Sequence, residues 1–379
     1  MNRELPPSHA IESINKLLSA GMPSPLWQDA EVKMLGHAMG VLRQVERYKG
    51  GVHLEEKYRD NTCDHTLASV RLATEFFADA ASEDVKLKHA IINMIMVHDI
   101  GEAFGEFTSL DSRVKTLRRI KIPKRTERDI TDFILSWGYV YRDDKEKFDT
   151  MISDIQKAVG AKDSPEAMAR AASEYMLRIG LPDLSFEGQR LVNKWMHYFD
   201  EVEGLADKHF AGAAAKMIEK LQSQEHFAKY SGVGDSVPFD QATSASVVAT
   251  LSYAERKLGD LFTLARTEEE RSLADILRER CYKNIIAIID KIPPLIQMRE
   301  PEPERDPQAG SSDRAPYLEE LLERHRKARK SFNDPPLCTE TRYRLLERYK
   351  AALENKYIPA AGSSIVDEYL HPTPRERVR

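Results

Sequence analysis

Apolar residues recur at three- and four-residue steps along nearly the whole chain. This spacing places side chains on one face of an α-helix and narrows the available folds more than any other feature. Leu67, Val70, Ala73, Phe76, Phe77 and Ala80 keep the step, and after the Ser82-Glu-Asp start signal Val85, Leu87, Ala90, Ile91, Met94 and Ile95 keep it again. These two segments are expected to pack as neighbouring helices. Ile130 to Trp137, Glu166 to Ile179, Phe186 to Phe210 and Ala211 to Phe227 read the same way, divided by Gly, Pro, Asp or Ser. Period-two alternation is not sustained, and Tyr139-Val-Tyr141 is too short for a strand and reads as loop. The expectation is an all-α protein.

At 379 residues the chain has room for two or three compact units. The first 29 residues read as an N-terminal helical arm and 30–230 as the main helical domain. The Gly/Ser/Pro punctuation SGVGDSVPFD follows, then a helical extension over 241–297. REPEPERDPQAGSSDRAP is polar, charged and Pro-rich, so 298–315 reads as a disordered linker; 316–379 reads as a helical tail with a disordered C-terminus. Within that tail, helices are expected from Pro316 to Phe332 and from Thr339 to Lys356.

Charge and cysteine content remove some function classes. Lys and Arg number 56 against 61 Asp and Glu, a formal charge of -5, so no global positive field favours nucleic acid or a membrane surface. Cys63, Cys281 and Cys338 are too few and scattered for a disulfide framework or a zinc cluster. The start lacks an apolar core of signal-peptide length, and the chain has no long apolar run, so a cytoplasmic protein is expected.

The chemistry-bearing residues gather in two places. His65 stands in Asn61-Thr-Cys-Asp-His-Thr66, and His98-Asp99 stand in Met96-Val-His-Asp-Ile-Gly-Glu-Ala-Phe-Gly-Glu106. A His-Asp pair ending a strongly apolar helix incurs a desolvation cost unless something pairs with it, and a divalent cation would do so. Imidazole nitrogen with carboxylate oxygen suits Mn, Fe, Co, Ni or Zn, and less typically Mg. If the two helices are antiparallel neighbours, His65 lies opposite His98 and Asp99. Glu102, four residues after His98, and Glu106 add the acids that activation of a metal-bound water needs. Taken alone, a His-Asp dipeptide is also what a solvated helix end offers.

Leu42-Arg43-Gln44-Val45-Glu46-Arg47, the Asp64-His65 pair, the Met-Val-His98-Asp99-Ile-Gly-Glu102 segment and Gly105-Glu106 together resemble the HD-domain metal-dependent phosphohydrolases. Within that family they resemble the 5'-deoxynucleotidases, which remove phosphate from deoxynucleoside monophosphates. The resemblance runs from about Leu42 to Phe227. It implies a helical bundle in which His65, His98 and Asp99 bind a divalent metal ion. Glu102 would assist the attacking water, and Arg47 would contact the phosphate of a small, nucleotide-like substrate. Glu106 takes the place of a second functional acid that is usually Asp, one residue having been lost before Gly105. The Trp beside the family's arginine is missing, and Tyr48 stands where it would be. The resemblance also implies a homodimer.

The family's fourth ligand is an Asp in a run resembling Lys-x-Leu-Asp-x-x-Glu, and Lys220-Leu221-Gln222-Ser223-Gln224-Glu225 puts Gln222 at that place. A neutral amide is a weaker ligand than a carboxylate. Either Glu225, Asp200 or Asp207 serves instead, or the site is weakened or inactive. Two rivals follow: a degenerate HD domain that binds a nucleotide or a protein partner without hydrolysis, and a phosphodiesterase acting on cyclic nucleotides or nucleic-acid ends. His197, His209 and His226 read as ordinary helix histidines. Arg113, Lys115, Arg118, Arg119, Lys121, Lys124 and Arg125 form a basic stretch that can help hold phosphate, while Arg324 to Lys330 reads as an exposed helix face. Cys63 reads as a packing residue, and no nucleic-acid partner is expected.

Overall fold

The computed structural model describes residues 7–19, 25–47, 60–79, 84–104, 124–160, 162, 165–206, 208–230, 241–291 and 339–365. These form α-helices, and the protein is all-α. Among the described residues there is no β-strand; an isolated antiparallel bridge pairs Glu46 with Asn61. None of the described helices is long and apolar enough to cross a membrane.

In chain order the helices are α1 (Pro7–Leu18), α2 (Asp29–Leu42), α3 (Thr62–Asp79), α4 (Val85–Val97), α5 (Lys124–Val140), α6 (Lys145–Gly160), α7 (Pro165–Ile179), α8 (Phe186–Gly204), α9 (Phe210–Tyr230), α10 (Gln241–Leu264), α11 (Glu268–Lys291) and α12 (Thr339–Glu354). The chain divides into two compact units. The first draws on Met1–Gly51, Glu56–Ser223 and Thr263–Leu277, and the second on Val52–Glu55, Gln224–Phe262 and Arg278–Arg379.

In the first unit, α4 packs between α3 and α8, while α2 packs against α1, α3, α5 and α6. The last seven residues of α4, Ile91 to Val97, are all buried, which is why their hydrophobicity runs around the helix rather than along one stripe. Two polar groups inside this core are satisfied. Trp27 Nε1 donates to Asn93 Oδ1 at 2.8 Å, and the buried Glu31 carboxylate accepts from Lys194 Nζ at 2.7 Å and Trp195 Nε1 at 3.0 Å. Left unpaired, a charge at that depth would cost several kcal/mol.

Two local readings differ from the sequence pattern. Tyr139 and Val140 are helical, because α5 continues past Trp137; the Tyr139 ring packs against Gly188 and its hydroxyl lies 3.3 Å from Ser185 Oγ. The run from Phe186 to Phe210 is interrupted after Gly204, where Leu205 caps α8. Helix α6 was not evident from the pattern, although Phe148, Ile152, Ile155 and Val159 line its buried face. The linker over 298–315, the helix over 316–332 and the terminal tail lie outside the described residues.

In the second unit, Leu251, Ala254, Leu258 and Leu261 of α10, Ile285 and Ile288 of α11 and Leu345 and Tyr349 of α12 are buried. The fully buried Glu255 accepts from Tyr349 Oη at 2.7 Å and from the Ile365 backbone N–H at 2.9 Å.

Candidate metal centre

The start of α3 is fixed before His65 is reached. Asn61 Oδ1 accepts from the Asp64 backbone N–H at 2.9 Å, and Asn61 Nδ2 donates back to Asp64 Oδ2 at 2.7 Å, a reciprocal cap on the first turn. Asp64 therefore serves the helix end. Cys63 is buried in the packing beside it. The lead-in pairs with the segment carrying Arg47: the Arg47 N–H donates to Asp60 O at 3.0 Å, and Thr62 N–H to Val45 O at 2.9 Å.

Helix α4 ends at Val97 with His98 as its cap residue, and its start is held by Asp84, whose Oδ1 accepts from the N–H groups of Lys86 and Leu87. Asp99 has φ −97° and ψ 0°, in the bridge region where active-site residues are often found. Ile100–Glu102 then form one 3-10 turn that packs on α5. Gly101 permits this approach, since a Cβ there would lie 2.9 Å from both Cβ and the carbonyl oxygen of Glu127. Because the α-helix stops before Asp99, Glu102 sits on this turn rather than on a continuation of α4, and it is half-buried.

From α9 come Glu219 and Gln222, three residues apart and so on one face of the helix. His65, His98, Asp99, Glu219 and Gln222 are respectively 0, 5, 8, 5 and 9% exposed, an unusual concentration of polar groups in a core. His65 Nε2 lies 3.7 Å from Glu219 Oε1 and 3.9 Å from Asp99 Oδ2. His98 Nε2 lies 3.1 Å from Asp99 Oδ1, though not aligned as a hydrogen bond. The two rings are 6.1 Å apart at their centroids. One ligand atom from each of His65, His98 and Glu219 falls within 4.8 Å of the others. Atoms bound to an ion at about 2.1 Å are roughly 3 to 4.2 Å apart, so a small contraction brings these three onto one cation.

The hydrogen bonds on the far side of each ring support the same use. His98 Nδ1 donates to Ile95 O at 2.7 Å, and His65 Nδ1 donates to Gln222 Oε1. A neutral ring that donates from Nδ1 leaves a lone pair on Nε2, and both Nε2 atoms are buried with no hydrogen-bond partner. A donor on one nitrogen and an open lone pair on the other is the usual state of a metal-ligating histidine.

The charges are arranged to keep both acids ionised. Burial would raise the Asp99 pKa, but the adjoining His98 ring and the Arg47 charge outweigh it and hold the carboxyl well below its ordinary range. Burial acts likewise on Glu219 and is overcome by Lys220, His65 and Lys216. Burial and the Arg47 charge push the His65 pKa down, favouring its neutral form. For His98 burial is opposed by Asp99, which makes the ring more basic. Arg47 Nη1 donates to Asp99 Oδ2 at 3.3 Å, and Lys220 Nζ lies 2.9 Å from Glu219 Oε1. Lys216, one turn before Lys220, is paired with Glu203.

The structure thus brings together Arg47, His65, His98, Asp99 and Gln222 from the sequence reading, with Glu102 on the adjoining turn. Gln222, placed by register as the fourth ligand, is found on the Nδ1 side of His65 as an acceptor. The carboxylate facing Nε2 belongs to Glu219, one turn earlier, which sequence reasoning passed over. Its signal was an acid inside the run Ala214, Ala215, Met217, Ile218 and Leu221, all buried. Glu106, Tyr48, Asp207 and the basic stretch from Arg113 to Lys121 lie outside the described residues. Of the remaining alternatives, Asp200 is bound bidentately by Arg128 at 2.8 and 3.1 Å, and Glu225 pairs with Arg280. His197 and His209 are exposed, and Arg125 is an exposed partner of Asp129. Searched against protein-family models, curated proteins and solved structures, the chain matches none, so these contacts carry the functional reading.

Proposed function

We propose that the first unit is a metal-dependent phosphohydrolase that releases phosphate from a (deoxy)nucleoside 5'-monophosphate or a similar phosphate ester. The observation that carries the proposal is the pair of buried imidazoles, each fixed through Nδ1 and each presenting an unpartnered Nε2 beside an ionised carboxylate. His65 Nε2, His98 Nε2, Glu219 and Asp99 would hold the ion. Two imidazoles favour Mn, Fe, Co, Ni or Zn over Mg. When bound, such an ion polarises a phosphoryl oxygen and lowers the pKa of a water molecule.

The chain's own residues supply the remaining parts. Gln222 and the Ile95 carbonyl keep the two rings in the tautomer and orientation that face the ion. Arg47 offers a planar fork of N–H donors to a phosphate. Lys216 and Lys220 add positive charge from α9 and favour a dianionic monoester. Glu102, on the turn after Asp99, would accept a proton from the attacking water, and Glu106 follows within four residues of it in the chain. The nucleotide specificity and a homodimer rest on the family resemblance, and a cytoplasmic location on the composition of the chain.

Non-hydrolytic binding drew its support from Gln222 replacing a carboxylate ligand. With Glu219 facing Nε2, the contacts favour hydrolysis. The test is to purify the protein, measure its bound metal, and assay phosphate release from deoxy- and ribonucleoside monophosphates with added Mn or Co. Turnover that disappears in His98→Ala supports the proposal, and absence of both metal and turnover in the wild type refutes it.

A further inference from the structure

Arg47 draws on the same carboxylate that a bound cation would need. Its Nη1 is 3.3 Å from Asp99 Oδ2, the oxygen that lies 3.9 Å from His65 Nε2. The Arg47 and Asp99 side chains are 15 and 12% exposed, so solvent screens their charges only weakly. The arginine backbone is tied to the lead-in of α3 by the Arg47 N–H to Asp60 O bond, which holds it beside the helix carrying His65. A guanidinium also keeps its proton throughout the working pH range. A divalent cation at the two imidazoles is therefore always opposed by a fixed positive charge that shares its ligand.

We propose that Arg47 couples the two halves of the site, so that a divalent cation and a phosphate-type anion each bind weakly alone and strengthen one another. This deepens the phosphohydrolase reading and rests on it. An anion seated between the ion and the guanidinium cancels their repulsion and takes up the donors of Arg47, relieving Asp99. Linkage then requires the factor by which the anion raises cation affinity to equal the factor by which the cation raises anion affinity. Lys220, held against Glu219 at 2.9 Å, adds to the opposition from the α9 side. In function, this ties full occupation by the cation to the presence of the substrate phosphate.

The test is a titration of Mn²⁺ into the full chain, with free ion followed by its paramagnetic resonance signal, with and without inorganic phosphate. In the wild type, phosphate is expected to raise Mn²⁺ affinity about tenfold or more, and Mn²⁺ to raise phosphate affinity by the same factor. Arg47→Gln should bind Mn²⁺ alone about tenfold more tightly and lose most of the enhancement. Arg47→Lys keeps a charge on a flexible stem and should stay near the wild type for Mn²⁺ alone, which separates charge from any folding defect. Unchanged or weaker Mn²⁺ binding in Arg47→Gln, or equal enhancement in Arg47→Gln and wild type, overturns the coupling while leaving the metal centre standing. No Mn²⁺ binding to the wild type at any concentration overturns both.

Discussion

Replacing Gln222 with Leu should weaken metal binding without removing a ligand. Gln222 and His65 are 9 and 0% exposed, and the amide oxygen is the acceptor for His65 Nδ1. Leucine leaves that N–H buried without an acceptor, which costs about 1 to 3 kcal/mol. It also frees the ring to turn its Nε2 away from Glu219. Loss of such an orienting partner typically lowers metal affinity about 10- to 100-fold, or roughly 1.4 to 2.8 kcal/mol at 1.4 kcal/mol per decade, in line with the hydrogen-bond figure. Isothermal titration with Co²⁺ measures the loss, and urea denaturation without metal checks the fold. Gln222→Asp gives the contrast: the shorter side chain is a poorer acceptor for Nδ1, so affinity should fall or stay level. A tenfold gain in Gln222→Asp would show that residue 222 faces the ion and refute the assignment of Glu219, and an unchanged Gln222→Leu would refute the orienting role of Gln222.

Glu219→Gln removes the carboxylate facing His65 Nε2 and should lower Co²⁺ affinity by more than about 100-fold, beyond the range of an orienting residue; a loss of tenfold or less by titration contradicts its role. Gly101→Ala places a Cβ 2.9 Å from Glu127 backbone and side-chain atoms and should cost about 1 to 3 kcal/mol in urea denaturation, with weaker metal binding because Asp99 moves with the turn; wild-type values for both would sink the idea. His37 supplies a pH dependence. Its ring contacts Phe148 and its Nε2 lies 3.0 Å from Tyr141 O, and burial lowers its pKa from the ordinary 6.5. The unfolded chain therefore takes up the proton first, so this contribution to stability is present above pH 6.5 and is lost as pH falls through the lower folded pKa. Urea midpoints at pH 7.5 and 5.5 should differ less in His37→Gln than in the wild type, and an equal difference contradicts the assignment.

Much of the centre was legible because its residues announce themselves locally. His98-Asp99 breaks an otherwise apolar helix, and His65 follows a helix-start signal, so residue type and position coincide. The fourth ligand was not legible in the same way. Glu219 and Gln222 share one face of α9, and which of them meets Nε2 or Nδ1 depends on how that helix rotates against His65, a tertiary property. The end of α4 was also hidden, since Ile100-Gly-Glu102 continues the helical spacing while Gly101 packing on Glu127 makes it a 3-10 turn. Tyr139 was misread for a related reason: an alternating triplet is overridden by the packing of its ring on Gly188.

Crystals of the protein loaded with Mn²⁺ and measured near the manganese absorption edge would locate the ion by its anomalous scattering. One peak is expected within about 2.4 Å of His65 Nε2, His98 Nε2 and a Glu219 oxygen, with Asp99 beside it and Gln222 on the far side of the His65 ring. No peak at this position, or a peak bound by Gln222 and not by Glu219, would contradict the assignment.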